Sequence, residues 1–267
     1  MKAEENYISI NKESWNKRTD AHLTSDFYDV EGFLKGKNSL NSIELDLLGD
    51  VKNKKILHLQ CHFGQDSLSL ARMGAKVTGV DLSDKAIAAG KDLGAKMDLD
   101  VTFIACDLYD LPNHLDDTFD LVFTSYGTIG WLPDLDKWAD LIQRYLKPGG
   151  HFVMAEFHPV VWMFDDDFKF VKYKYSKAGA IIENEEGTYA DKSAAIQQDY
   201  VSWNHGLAEV FMALISRGIH LQNFYEFDYS PYDCFDHLVE FESGKYRIKH
   251  LDDKIPMVYA IKGRMQE

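Results

Sequence analysis

Between residues 55 and 157 the chain repeats one pattern: a short apolar run, then a stretch with helical spacing. The runs at 55–60, 76–80, 101–105, 119–124 and 151–157 read as five buried strands. Between them, residues 66–73 read as a helix closed by Gly74, and 84–97 as a helix capped by Ser83. A third helix carries Trp138, Leu141, Ile142 and Tyr145 on one face. Lys147-Pro148-Gly149-Gly150 ends it, because proline cannot continue a helix and glycine turns freely. Strands that alternate with helices in this way imply a doubly wound α/β fold, a mostly parallel sheet with helices on both faces.

The flanking segments break the pattern. In the first fifty residues Leu40, Ile43, Leu47 and Leu48 follow helical spacing before Gly49, which predicts an N-terminal helical lid over 1–50. Residues 51–159 form the expected cofactor-binding core. Residues 160–203 read as a β-rich insertion, with alternating stretches at 171–175 and 198–203. Residues 204–267 return to the core. There Asn204 is expected to cap a helix whose inner face is Leu207, Val210, Phe211, Leu214 and Ile215. Strands at 219–227 and 254–264, joined directly through 230–253, complete seven strands as an antiparallel pair at one sheet edge. The whole chain is read as a single domain.

The 267 residues carry 43 acidic against 29 basic side chains, a net charge of -14. A duplex-binding groove needs a basic face, so nucleic acid is not an expected partner; a small neutral or cationic molecule is. Cys61, Cys106 and Cys234 are too few and too scattered for a disulfide framework or a zinc site, and no metal is expected. Residues 1–16 are polar and charged rather than a signal peptide, and no apolar run reaches membrane-span length. A reducing compartment, the cytoplasm, fits this pattern, as does a monomer or homodimer.

Chemistry concentrates at the carboxyl ends of the first strands. The segment from Ile56 to Asp66 runs from strand through tight loop to helix. In a doubly wound sheet that first crossover lies at the switch point where ligands bind. Asp81 follows the second strand, where a carboxylate can accept hydrogen bonds from both ribose hydroxyls. Asp107 follows the third, where one can hold an exocyclic amine.

These acids, the loop Gln60-Cys61-His62-Phe63-Gly64 and the Lys147-Pro148-Gly149-Gly150 turn together resemble the class I S-adenosylmethionine-dependent methyltransferase family, with its Rossmann-like sheet. The resemblance runs from Gln60 to Lys262. Trp15-Asn16-Lys17-Arg18 and the phrase from His58 to Asp66 resemble a bacterial small-molecule subgroup. By resemblance, Gln60, Cys61, His62 and Gly64 cradle the methionine part of S-adenosyl-L-methionine. Asp81 with Leu82 takes the ribose, and Asp107 with Leu108 the adenine. Thr124, Ser125 and Tyr126 face cofactor and substrate, with Tyr126 a catalytic candidate. The sequence departs from the family at His58, where an acid is common, and at Gln60 and His62, where glycines are common. Lost glycines restrict positive φ. Side chains of Gln60 and His62 are therefore expected to replace some backbone contacts.

The implied reaction is in-line methyl transfer to a small-molecule acceptor, leaving S-adenosyl-L-homocysteine. His158, beside Pro159 at the end of the fifth strand, is the general-base candidate. Among the aromatic residues, Trp15, Tyr28, Trp131 and Trp203 are expected to line the substrate side. The acidic runs 165–167 and 183–186 read as solvated. A non-catalytic S-adenosylmethionine sensor or partner-binding module is the alternative on the same fold. A nicotinamide dehydrogenase is disfavoured because no GxGxxG follows the first strand.

Overall fold

The computed structural model describes residues 3–267. In chain order, helices α1 (Tyr7–Thr24), α2 (Val30–Leu34) and α3 (Ser42–Leu48) precede strand β1 (Lys55–Leu59). Then come α4 (Gln65–Arg72), β2 (Lys76–Asp81), α5 (Asp84–Lys96), β3 (Val101–Ala105), β4 (Phe119–Ser125), α6 (Leu135–Tyr145) and β5 (Leu146–Phe157). The remainder is β6 (Ile181–Glu186), β7 (Gln197–Ser202), α7 (Leu207–Ile215), β8 (Ile219–Phe227), β9 (Leu238–Glu242), β10 (Lys245–Ile248) and β11 (Val258–Met265).

Seven strands form one sheet in the order β3-β2-β1-β4-β5-β11-β8. Strands β1 to β5 pair in parallel, and β11 runs antiparallel to both β5 and β8. The order reverses between β1 and β4, which opens a crevice at their carboxyl ends. β1 is buried from Ile56 to Leu59, as a strand covered on both faces must be. α6 packs Trp138, Ala139, Ile142 and Tyr145 onto one face of the sheet, and Leu47 and Leu48 of α3 lie in the core of the other. Asp134 and Ser83 cap α6 and α5 through Lys137 N–H (3.1 Å) and Ala86 N–H (3.0 Å).

Several boundaries differ from the sequence reading. β5 starts at Leu146, so Lys147-Pro148-Gly149-Gly150 is an irregularity inside the strand, with the β4 pairing shifting between Phe119 and Leu121. Gly149 takes φ +75° there, and Lys147 Nζ is fastened to Asp120 Oδ1 at 2.6 Å. Residues 171–175 form no strand, only an isolated bridge between Phe164 and Val171; β6 pairs with β7 instead. The run Glu183-Asn184-Glu185-Glu186 lies in β6 and alternates between exposed and half-buried positions, so two of its acids face inward. Asn204 does not cap α7. Its side-chain amide donates to the carbonyls of Trp162 (3.1 Å) and Lys174 (2.9 Å), and Gly206 takes the N-cap. The link from β8 to β11 is not direct but contains the β9–β10 hairpin.

The N-terminal helix and the insertion meet. The buried face of α1 is polar, comprising Asn11, Ser14, Arg18, Thr19 and His22. Asn11 binds the backbone of Val201 in β7, and Asn16 Oδ1 accepts from Ser83 Oγ at 2.6 Å. Met1 and Lys2, the start of the expected lid, lie outside the described residues.

Candidate functional site

A cavity of about 1500 Å³ opens at the carboxyl ends of β1, β2 and β4. Single small-molecule sites usually span roughly 300–1,000 Å³, so this one has room for two ligands side by side. Residues of α1 and of the 160–203 insertion wall it.

The loop after β1 forms its floor. Gln60 and His62 take φ of +54° and +53°, beside Gly64 at +76°. The backbone therefore keeps the left-handed path that glycines would favour, at a strain of roughly 1–2 kcal/mol for each residue with a Cβ. Gly64 cannot be replaced in the same way, because a Cβ there would lie 2.4 Å from the Phe103 ring. Gln60 Nε2 donates to Thr128 O (2.8 Å), while its buried Oε1 has no partner.

Asp81 Oδ2 accepts from His62 N–H and Oδ1 from Ser83 N–H, each at 2.8 Å. A carboxylate offers about four acceptor sites, so one on each oxygen remains for a diol. Burial pushes the Asp81 carboxyl up to about 6, against the opposing pull of those amides. Asp107, next along the sheet edge, accepts from Tyr109 N–H at 3.3 Å and is also raised by burial. The two acids, the free Gln60 oxygen and the open cavity above them fit an adenosine carrying a polar tail.

Beyond β4, Glu156 holds the loop that carries Tyr126. Its carboxylate accepts from the amides of Gly127 (2.5 Å), Thr128 (2.7 Å) and Phe157 (2.6 Å). Tyr126, at φ +41°, donates its hydroxyl to Glu44 Oε2 at 2.8 Å. Glu44 is fully buried in α3, and burial with Asp66 nearby pushes its carboxyl up to about 7. Ser125 Oγ donates to Asp66 Oδ2 (3.1 Å), and Asn41 Nδ2 to the Tyr232 hydroxyl (2.7 Å). Tyr126 and Tyr232 meet edge to face at 5.1 Å.

On the lid side Trp15 packs against His62 (5.3 Å) and Trp131 (5.2 Å). His22 Nδ1 lies 3.3 Å from His62 Nε2. Burial, with Arg18 adjacent, pushes His22 down to about 3, and His62 falls well below its ordinary value, so both rings are neutral. The hydroxyls of Tyr28 and Tyr189 share a 2.5 Å hydrogen bond.

Of the residues singled out from sequence, Gln60, Cys61, His62, Gly64, Asp81, Leu82, Asp107, Leu108, Ser125, Tyr126, Trp15, Tyr28, Trp131 and Trp203 all line the cavity. Two do not. Thr124 is fully buried, its hydroxyl donating to Leu59 O at 3.3 Å. His158 turns toward the β8 edge, where Val160 N–H donates to Nδ1 (3.2 Å) and Nε2 pairs with Glu226 Oε1 (3.0 Å). With both nitrogens engaged outside the cavity, His158 is not positioned as the base. Sequence reasoning missed Glu44 and Asp66 as site residues, and also Arg18 and Glu183. Glu183 accepts from the hydroxyls of Tyr173 and Tyr200 and from Lys172. For Glu44 the available signal was Asn41-x-x-Glu44, which reads as a capping box and indeed forms one.

Comparison with known proteins agrees with this geometry. Residues 56–150 match the family described as methyltransferase domain. A ubiquinone biosynthesis O-methyltransferase from Alkalilimnicola ehrlichii is 28% identical over 135 residues, 49% of this chain and 54% of that protein. A sterol 4-C-methyltransferase from Caenorhabditis elegans is 34% identical over 107 residues, 39% of this chain and 31% of that one. The chain thus spans about half or less of the length of these curated relatives. The geranyl diphosphate C-methyltransferase of Streptomyces coelicolor A3(2), solved with Mg²⁺, geranyl-S-thiolodiphosphate and S-adenosyl-L-homocysteine, shares the fold. It superposes with a TM-score of 0.62 at 15% identity, covering 97% of each chain. Residues 56–150 thus match a methyltransferase domain, and the fold is shared with S-adenosylmethionine-dependent methyltransferases of known structure.

Proposed function

We propose that this chain transfers the methyl group of S-adenosyl-L-methionine to a small-molecule acceptor enclosed beneath α1 and the insertion. One observation carries the reading: a single cavity of about 1500 Å³ joins the Asp81–Asp107 edge to the chamber lined by Tyr126 and Tyr232. The bound cofactor supplies an electrophilic methyl on a sulfonium. Asp81 and Leu82 take the ribose, Asp107 and Leu108 the adenine, and the 60–64 loop the methionine part. The work of the chain is alignment, which can lower such a barrier by roughly 7–11 kcal/mol, together with exclusion of water by the cover.

Where the acceptor carries a proton, Tyr126 is the group placed to receive it, passing its own proton to Glu44. The enclosed chamber favours a small acceptor over nucleic acid, as does the net charge of -14. Three free thiols fit the cytoplasm. Incubating the protein with S-adenosyl-L-methionine and a panel of phenols, amines, thiols and prenyl compounds, while measuring S-adenosyl-L-homocysteine release, tests the reading. Acceptor-dependent release is expected. Tight cofactor binding with no turnover on any acceptor would favour a sensor instead.

A further inference from the structure

Arg18 is a buried charge in the cavity wall with an unpartnered donor. The residue is 3% exposed. Its guanidinium carbon lies 5.2 Å from the Trp15 ring centroid, 5.4 Å from that of Trp131 and 5.3 Å from that of Tyr200. These three rings fix the plane of the side chain and favour its charge. Its hydrogen bond among the described residues runs from Nη2 to Glu185 Oε2, at 2.5 Å. The buried Nε has no partner.

A guanidinium is built to grip a carboxylate with two parallel N–H groups. Glu185 engages one of them, from a strand of the insertion, and its side chain stays 33% exposed. The orphaned Nε–H is a buried donor, which proteins satisfy with few exceptions. No protein group lies within hydrogen-bonding distance of it. The rings of Trp15 and Trp131 have no acceptor atom, and the neutral His22, whose buried Nε2 is likewise without a partner, is not within hydrogen-bonding distance. An anion entering the cavity would supply that acceptor, and a cation favours one. Arg18 packs on Trp15, and the Trp15 ring packs on His62, the loop residue whose amide holds Asp81. Asp81, the 60–64 loop and Arg18 line the same cavity, so an amino-acid tail extending from a ribose at Asp81 across that loop would come within reach of Arg18.

Resting on the methyltransferase reading, we propose that Arg18 binds the α-carboxylate of the cofactor's methionine end through Nε, with Glu185 as the counter-ion that holds the guanidinium before the ligand arrives. Cofactor entry then sets a ligand carboxylate beside Glu185 on one cation. Occupancy of the site is thereby felt in the strand that closes over it.

The test compares S-adenosyl-L-homocysteine with 5′-deoxy-5′-methylthioadenosine, which keeps the adenosine and thioether but lacks the amino-acid end. Both are titrated calorimetrically into the wild type and into Arg18→Gln, Arg18→Lys and Glu185→Gln. The wild type is expected to prefer S-adenosyl-L-homocysteine. Arg18→Gln reduces that preference at least ~10-fold and leaves methylthioadenosine within about twofold, in line with one lost charge-assisted contact. Arg18→Lys, which keeps the charge and the stem but not the fork, loses part of the preference and covers the case of a misfolded glutamine variant. Glu185→Gln keeps the preference or raises it. An unchanged preference in Arg18→Gln, or equal weakening of both ligands, overturns the assignment while leaving the methyltransferase reading intact. A wild type that binds neither ligand defeats that reading instead.

Discussion

Asn11 of α1 completes both backbone hydrogen bonds of Val201 in β7. Its Nδ2 donates to Val201 O and its Oδ1 accepts from Val201 N–H, each at 2.8 Å. One side-chain amide thus stands in for a neighbouring strand at the edge of the insertion hairpin. This contact, between residues 190 apart in the chain, ties the N-terminal helix to the insertion.

Asn11→Ala should therefore loosen both segments together. It strands a buried amide and carbonyl at a residue with 0% exposure, a loss of about 2–4 kcal/mol. The melting temperature is expected to fall by on the order of 5 °C or more. Hydrogen exchange should speed up at Val201 and along α1 in the same variant. A change confined to one of the two segments would show that they move independently.

Ligand should tighten the same cover. Limited proteolysis is expected to cut within residues 3–35 and 160–203 in the free protein and to slow in both when S-adenosyl-L-homocysteine is added. Cleavage indifferent to ligand, with cofactor affinity unchanged in a chain lacking residues 1–35, would reduce these segments to ordinary packing.

The sheet was readable because buried parallel strands are short apolar runs bounded by turn residues. The reading of 219–227 coincides with β8, and Gly49 does end α3. Residues of the cavity edge were readable because the strand ends of a doubly wound sheet open onto its crevice, as at Asp81 and Asp107. What was not readable depended on side-chain direction and long-range partners. The same strand-end logic that put Asp81 at the cavity edge put His158 there too, but His158 does not line the cavity and its Nε2 pairs with Glu226 of β8 instead. Glu183 and Glu185 look solvated in a run of acids; only pairing with β7 turns alternate members toward Tyr200 and Arg18. The inward face of α1 is polar, so apolar periodicity could not reveal it, although Asn11, Ser14, Arg18, Thr19 and His22 keep helical spacing.

The buried carboxyl of Glu44 should leave a signature in stability. Its folded value, about 7, lies above the ordinary 4.5, so the folded state holds a proton that the unfolded chain releases between those values. Wild-type stability contributed by this group is present below pH 4.5 and is lost as pH rises toward 7. Glu44→Gln keeps the shape and removes the titration. Its melting temperature relative to wild type should rise steadily from pH 5 to pH 8, corresponding to up to about 3 kcal/mol. The buried imidazoles of His22 and His58 act in the opposite direction but are common to both proteins and cancel in the difference. A difference that does not vary with pH would mean that Glu44 is ionised throughout.

The central claim is that the cavity edge at Asp81 holds the adenosine of the cofactor, and titration calorimetry with S-adenosyl-L-homocysteine tests it most directly. One-to-one binding is expected for the wild type. In Asp81→Ala the affinity should fall ~10-fold or more, since a charge-assisted hydrogen bond contributes roughly 1.5–3 kcal/mol. Equal affinities in the two proteins, or no binding by the wild type, would contradict the account.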